Sequence, residues 1–232
     1  IMIQLNFKSD TTIMRNIIIL LFIVFLYSCA PTRFVKPLDK KQQAVNLSLG
    51  GPLIDYSSLI IPMPFLTATY GYGIDSTLTG FGSLNITSAV YGNLQMEIGA
   101  TKRLLPQQGY IPAISINPVA NIIYRNKDAS GLYPELDINA YWDHNKGRNF
   151  FYIGVSNWFE LKQKRAFGEK QQNHWLITPM IGETFVRRKW NYTVEAKIIT
   201  PHLINNRSPV EYKTPLGTHG ALGIYFSLSR KF

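Results

Sequence analysis

From Ala44 onward, apolar and polar side chains alternate with a period of two, the spacing that sends successive residues to opposite faces of a strand. The last stretch is the clearest: Leu222, Ile224, Phe226, Leu228 and Phe232 share one face, and Gly223, Tyr225, Ser227, Ser229 and Lys231 share the other, with Arg230 interrupting the apolar row. The same pattern runs through Trp190 to Ile198, Phe151 to Phe159, Leu136 to Trp142 and Leu94 to Ala100. Weaker alternation marks Val45 to Leu49, Leu66 to Tyr72, Leu78 to Ile86, Ile114 to Tyr124 and Trp175 to Val186, the last two carrying prolines that suit a central strand poorly. The pattern therefore predicts ten strands.

An even number of strands can close into an antiparallel barrel with both chain ends at one rim, and closure removes the edges that lipid cannot satisfy. The expected fold is all-β: a closed antiparallel transmembrane β-barrel of about ten strands, within a range of roughly eight to twelve. Short turns are expected at Gly73 to Ser76, Lys102 to Tyr110, Asp143 to Asn149 and Arg187 to Lys189. The opposite end takes Gly50 to Pro64, Asn85 to Ala89, Arg125 to Gly131, Leu161 to Asn173 and Thr200 to His219. Short periplasmic turns and longer outer loops are the asymmetry of bacterial outer-membrane barrels. Aromatics near strand ends, including Tyr70, Tyr124, Trp142, Trp175 and Trp190, fall where interfacial girdles belong.

One apolar block breaks the alternation. Ile17 to Leu26 follows Met14-Arg15-Asn16 and is too short to cross a bilayer comfortably, but it has the basic flank and length of a secretory leader. It ends in Leu26-Tyr27-Ser28-Cys29, and Cys29 is the single cysteine of the chain. This stretch resembles the bacterial lipobox, although Tyr27 is bulkier than the usual residue there. The resemblance implies that Cys29 receives a diacylglycerol and a further acyl chain, which together give a durable anchor. The expected organisation is upstream translated residues over 1–13, a lipoprotein signal peptide over 14–28, a lipidated N-terminus with a periplasmic tether over 29–43, and the barrel over 44–232. Ala30-Pro31-Thr32-Arg33 lacks the acidic cluster that usually accompanies surface export of such lipoproteins in Bacteroidetes, which places the expected anchor on the periplasmic side.

Composition sharpens this picture. Charged residues make up 16% of the chain and apolar residues 46%, and the apolar residues are interleaved with Ser, Thr, Asn and Gln, which argues against helical membrane spans. The net charge of +10 is not gathered into a nucleic-acid footprint, and no nucleic-acid partner is expected. Lys162, Lys164, Arg165 and Lys170 crowd one outer loop, while Lys102, Arg103, Lys146, Arg148, Arg187, Arg188 and Lys189 sit in the turns. Basic residues at both rims suit phospholipid headgroups and, for the outer loop, lipopolysaccharide, at about 1 kcal/mol per residue near an anionic surface.

With these features together, from Cys29 through Asn149-Phe150-Phe151-Tyr152-Ile153-Gly154 to Ser229-Arg230-Lys231-Phe232, the chain resembles the small, poorly characterised outer-membrane β-barrel lipoproteins of Bacteroidetes. The terminal aromatic likewise resembles the signal read by the barrel assembly machinery, an expected partner during insertion. The resemblance implies a fold and a location and transfers no catalytic residue.

Chemistry has to come from the lumen or the loops. Glu97, Glu135, Asp137, Glu195 and Lys197 fall on the inward face of the clearest strands and are expected to form a charge-paired polar network, because a buried carboxylate must find a partner. A narrow cation-preferring pore is the alternative use of the same groups. His174, His202 and His219 lie near the outer rim, with Ser208 and Glu211 between the last two, and His144 stands beside Asp143 in a turn. The outer-membrane lipid A palmitoyltransferases and omptin proteases place His with Asp or Ser at that rim, so a small rim-site enzyme acting on lipid or peptide is a second alternative. No residue set reaches the spacing of a catalytic, metal or cofactor motif, and none is assigned. The leading expectation is a structural or interaction role, displaying loops or docking to a larger outer-membrane complex.

Overall fold

The computed structural model of the chain describes residues 33–56, 59–125, 130–145, 147–164, 170–205 and 211–232. Eleven strands form: β1 (Gln43–Tyr56), β2 (Leu59–Pro62), β3 (Phe65–Asp75), β4 (Leu78–Asn85), β5 (Leu94–Leu105), β6 (Ala113–Tyr124), β7 (Gly131–His144), β8 (Asn149–Phe159), β9 (Trp175–Arg187), β10 (Trp190–Ile204) and β11 (His219–Lys231). Ten of them, all but β2, follow one another as antiparallel neighbours, and β11 pairs back onto β1, closing a ten-stranded barrel. The closing register sets Asn46 opposite Ser229 and Leu49 opposite Phe226, so apolar faces apolar outside and polar faces polar inside across the seam.

Each of the ten strand stretches read from the alternation falls on one barrel strand, two of them running one residue past its end: Ile86 opens the helical turn after β4, and Phe232 follows β11. One end of the barrel carries short turns, such as the two residues between β9 and β10, and is called the turn end below. The loop end differs in detail from the sequence expectation. The sequence expectation makes Gly50 to Pro64 a loop, yet β1 runs on to Tyr56 and pairs with β2, Leu53 opposite Pro62, because its Ile/Leu/Tyr-rich flanks favour strand pairing. Residues 86–90 form a single helical turn, capped by Asn85, whose Oδ1 accepts from the Ser88 amide at 2.9 Å. β10 runs past Thr200 to Ile204 through an irregularity in its pairing with β11.

The outward face is apolar, with Leu47, Leu49, Ile98, Ile153, Ile181, Val194 and Phe226 all exposed. The inward face is lined instead by Asn, Ser, Thr and carboxylates, among them the buried Asn46, Thr69, Thr101, Asn117, Asn121, Asn139 and Ser156. An apolar exterior around a polar interior reverses the arrangement of a water-soluble domain and is that of a barrel whose outside meets lipid.

The tether expectation needs correction. The part of 29–43 that the structure describes before β1, residues 33–42, does not hang free: it rises from the turn end into the lumen. Lys41 N donates to Gly73 O and Gly73 N to Gln42 O at the rim. Further in, Leu38 N donates to Thr79 Oγ1, Ser115 Oγ to Val35 O, and Thr101 Oγ1 to Phe34 O. Phe34 and Leu38 pack with Ala44, Phe81 and Val119, and Val35 packs with Ala113, Tyr141, Phe150 and Tyr152. The segment has no period of its own to announce this, because it follows a wall it does not hydrogen-bond as a strand. That wall is cut to receive it: a Cβ on Gly71 would run into the Phe34 ring, and one on Gly73 into the Asp39 carbonyl. Residues 1–32, including the leader and Cys29, lie outside the described residues.

Candidate functional site

The lumen site is built from three strand carboxylates and one arginine that the sequence reading had placed outside the barrel. Glu97 on β5 and Glu135 and Asp137 on β7 point inward by parity, and all three are buried. Arg33 reaches them from the lumen segment and is buried as well. Its Nε donates to Glu97 Oε2 at 3.1 Å and Nη2 to Glu97 Oε1 at 2.8 Å. Nη1 donates to Glu135 Oε1 at 2.9 Å and to Asp137 Oδ2 at 3.0 Å, and Nη2 also donates to Glu135 Oε2 at 2.7 Å. A guanidinium has five N–H donors in a fixed fork, and here each has a carboxylate acceptor, with two of the carboxylates bound in bidentate fashion.

The wall orients those acceptors independently of Arg33. Ser156 Oγ donates to Glu135 Oε1 at 2.5 Å, and Asn121 Nδ2 donates to Glu97 Oε1 at 3.1 Å. Among the described residues, Asp137 Oδ1 has no hydrogen-bond partner, although it is buried. Asn139, the next inward residue on β7, likewise has no hydrogen bond to either side-chain polar atom among the described residues.

Glu195 and Lys197, on β10, form a separate group. Lys197 Nζ lies 3.2 Å from Glu195 Oε1 and 5.0 Å from the centre of the Tyr225 ring, while Tyr152 Oη donates to Glu195 Oε2 at 2.7 Å. The five inward charges read from sequence are thus all in the lumen, divided into two clusters. The member that sequence reasoning missed is Arg33. Its signal was the imbalance of that set, four acids against one lysine, which demands another inward cation. Toward the loop end, Tyr133 and Trp158 stack at 5.1 Å between ring centres and occupy the lumen above the arginine site. On the turn-end side a cavity of about 220 Å³ runs from Gln42 and Lys231 to Arg33, passing Ser227, Ser229 and Thr193.

Among the described residues, the rim side chains do not assemble into a catalytic set. Glu211 is engaged by Lys213 at 2.7 Å, and the hydrogen bonds that the Lys213 ammonium donates to the Glu211 and Asp55 carboxylates hold it above its usual pKa. His174 Nδ1 meets the Glu160 carbonyl at 2.7 Å, His219 Nδ1 lies 3.3 Å from Thr218 Oγ1, and His202 is exposed. At the turn end His144 Nε2 sits 2.7 Å from Glu183 Oε1. Ser208 lies outside the described residues.

Of the expected lipopolysaccharide contacts, Lys164 and Lys170 face each other across a β-bridge and are exposed, and Lys162 Nζ lies 6.0 Å from the Tyr133 ring centre. Arg165, in the same loop, and Lys146, at the turn end, lie outside the described residues. Leu222, Ile224, Phe226 and Leu228 alternate with the buried Gly223, Tyr225, Ser227 and Ser229, so they stand on the outer surface. Phe226 and the nearby Phe232 are the most exposed of the five lipid-facing candidates. Arg230, the break in the apolar row, stacks its guanidinium 5.4 Å from the Trp190 ring and 5.2 Å from Phe232, keeping its charge at an aromatic rim.

No family model matches the chain, and no curated protein matches it. Among solved structures, an outer-membrane channel of Pseudomonas putida F1 is similar over 88% of this chain and 100% of its own, at 8% identity and a TM-score of 0.50. The NanC porin aligns over 82% of this chain and 100% of its own, at 8% identity and a TM-score of 0.45. At that identity the channel bears on fold alone. The fold is that of an outer-membrane β-barrel.

Proposed function

We propose that this chain is a non-conducting outer-membrane barrel with a structural or interaction role, anchored through an acylated Cys29, displaying its outer loops or docking to a larger outer-membrane complex. The observation that carries the reading is the stacked Tyr133–Trp158 pair, which occupies the lumen above Arg33 whether residues 33–38 are seated in the turn-end half or withdrawn from it. On this reading the turn end faces the periplasm, and Lys162, Lys164, Arg165 and Lys170 meet lipopolysaccharide. The protein folded into planar bilayers is expected to show no conductance steps. Stable cation-selective steps from the wild-type chain would replace this reading with the narrow pore. Affinity purification from native membranes with mass spectrometry tests the interaction role, which a barrel recovered without stable partners would contradict.

The anchor makes a second demand. Cys29 precedes Arg33 by four residues, a reach of at most about 14 Å. The Phe34 carbonyl is held by Thr101 and Asn117, each about four residues in from the turn end of its strand, or roughly 13 Å at strand rise. That reach ends at the rim, short of lipid, so an anchored Cys29 draws residues 33–38 out of the lumen. Palmitate labelling is expected on the wild-type chain and lost on Cys29→Ser, and label persisting on the serine variant would end the lipoprotein reading.

A further inference from the structure

Three carboxylates in a buried wall are ordinarily a liability. Here they are already shaped around one chemical group. Five hydrogen bonds use every donor of the Arg33 guanidinium, Ser156 and Asn121 hold two of the carboxylates from behind, and Asp137 Oδ1 is a further buried acceptor with no partner among the described residues. The cavity lined by Ser227, Ser229 and Thr193 leads from the turn-end rim to this point. Arg33 itself is delivered by a segment that pairs with the wall as a strand at no point inside the lumen among the described residues.

We propose that Glu97, Glu135 and Asp137 form a guanidinium-binding site open to the turn end, which Arg33 fills as a tethered occupant, and which takes a guanidinium ligand supplied from outside when residues 33–38 are withdrawn. The fork geometry selects guanidinium over ammonium, because a point charge with three donors cannot satisfy two bidentate carboxylates and Asp137 at once. The site stands on its own geometry and holds whether or not Cys29 is acylated; anchoring of Cys29 is one route by which it would be emptied.

The test uses the full chain folded in detergent, with Arg33→Ala emptying the site and methylguanidinium as probe. Methylguanidinium is expected to raise the thermal midpoint of Arg33→Ala, read as the heat-modifiable shift on a gel. Methylammonium should need a concentration at least about tenfold higher for the same shift. The wild-type midpoint should not respond at these concentrations, and adding Glu135→Gln to Arg33→Ala should remove the response. No response in Arg33→Ala, or equal responses to the two cations, overturns the proposal.

The acetylated hexapeptide Arg-Phe-Val-Lys-Pro-Leu, corresponding to residues 33–38, distinguishes the two sources of the group. Binding well above that of methylguanidinium assigns the site to an extended arginine-bearing segment, and equal binding assigns it to a small guanidinium compound. If Arg33→Ala does not assemble, the wild-type chain carries the test: at concentrations high enough to compete with the tethered Arg33, methylguanidinium, and not methylammonium, should speed chymotrypsin cleavage after the buried Phe34, and no acceleration overturns the site.

Discussion

Replacing Arg33 with alanine is expected to destabilise the barrel by about 3 to 5 kcal/mol, or to prevent assembly altogether, because breaking a buried ion pair from one side leaves uncompensated charge behind. Three carboxylates depend on this one group, at distances of 2.7 to 3.1 Å, while the Lys197 ammonium is paired with Glu195 at 3.2 Å. Denaturant unfolding of the detergent-folded protein measures the loss. The mechanism makes a second, sharper demand: combining Arg33→Ala with Glu97→Gln, Glu135→Gln and Asp137→Asn should recover a large part of the stability, since the liability is the orphaned charge and not the missing side-chain volume. An alanine variant as stable as wild type, or a quadruple variant weaker than the single one, would show that the cluster does not hold the lumen together. The same variant supplies the emptied site for the guanidinium experiment, so stability and ligand response are read from one preparation.

The second large effect concerns facing. Phe226 is 51% exposed near the middle of β11, between Leu49 of β1 and Val194 of β10, and Ser227 points the other way, between Ser48 and Thr193. Phe226→Arg places a charge against the hydrocarbon core and is expected to cost about 2 to 4 kcal/mol or abolish insertion. Ser227→Arg meets the polar lumen, where Ser227 lines the cavity that leads to Arg33, so its side chain has both space and hydrogen-bonding neighbours. Folding yield in liposomes compares the two. Equal defects would contradict the alternation, because a register slip of one residue inverts every side chain of the strand. Single-cysteine labels at 224 to 227, in a background lacking Cys29, add an independent reading: accessibility to a lipid-soluble relaxant should be high at 224 and 226 and low at 225 and 227.

The strands were legible because strand character is written locally. Leu222 to Leu228 and Leu94 to Ala100 declare their two faces within seven residues each, and a wall between lipid and a polar lumen requires one apolar and one polar face. Less of the loop end could be read: Tyr56 and Leu59 to Ile61 form a paired extension of β1, and nothing in their composition separates that from an apolar loop. The lumen acids were legible as inward-facing, since parity alone decides it. Their partner was not, because Arg33 lies 64 residues from Glu97, 102 from Glu135 and 104 from Asp137, in a stretch without period. The charge imbalance of the inward set and the small residues Gly71 and Gly73 were the traces it left in the sequence.

By itself, then, the sequence determined the all-β class, the ten barrel strands, which side chains face lipid and which face the lumen, and the basic and aromatic character of the two rims. These follow from period, parity and composition, which act over a few residues. Tertiary structure alone decided that residues 33–42 run inside the barrel, that Glu97, Glu135 and Asp137 converge on one guanidinium, and that Glu195 and Lys197 stand apart with Tyr152 and Tyr225. Closure is the physical reason: rolling the sheet until β11 meets β1 sets side chains from distant strands a few ångströms apart, where low polarity makes pairing obligatory.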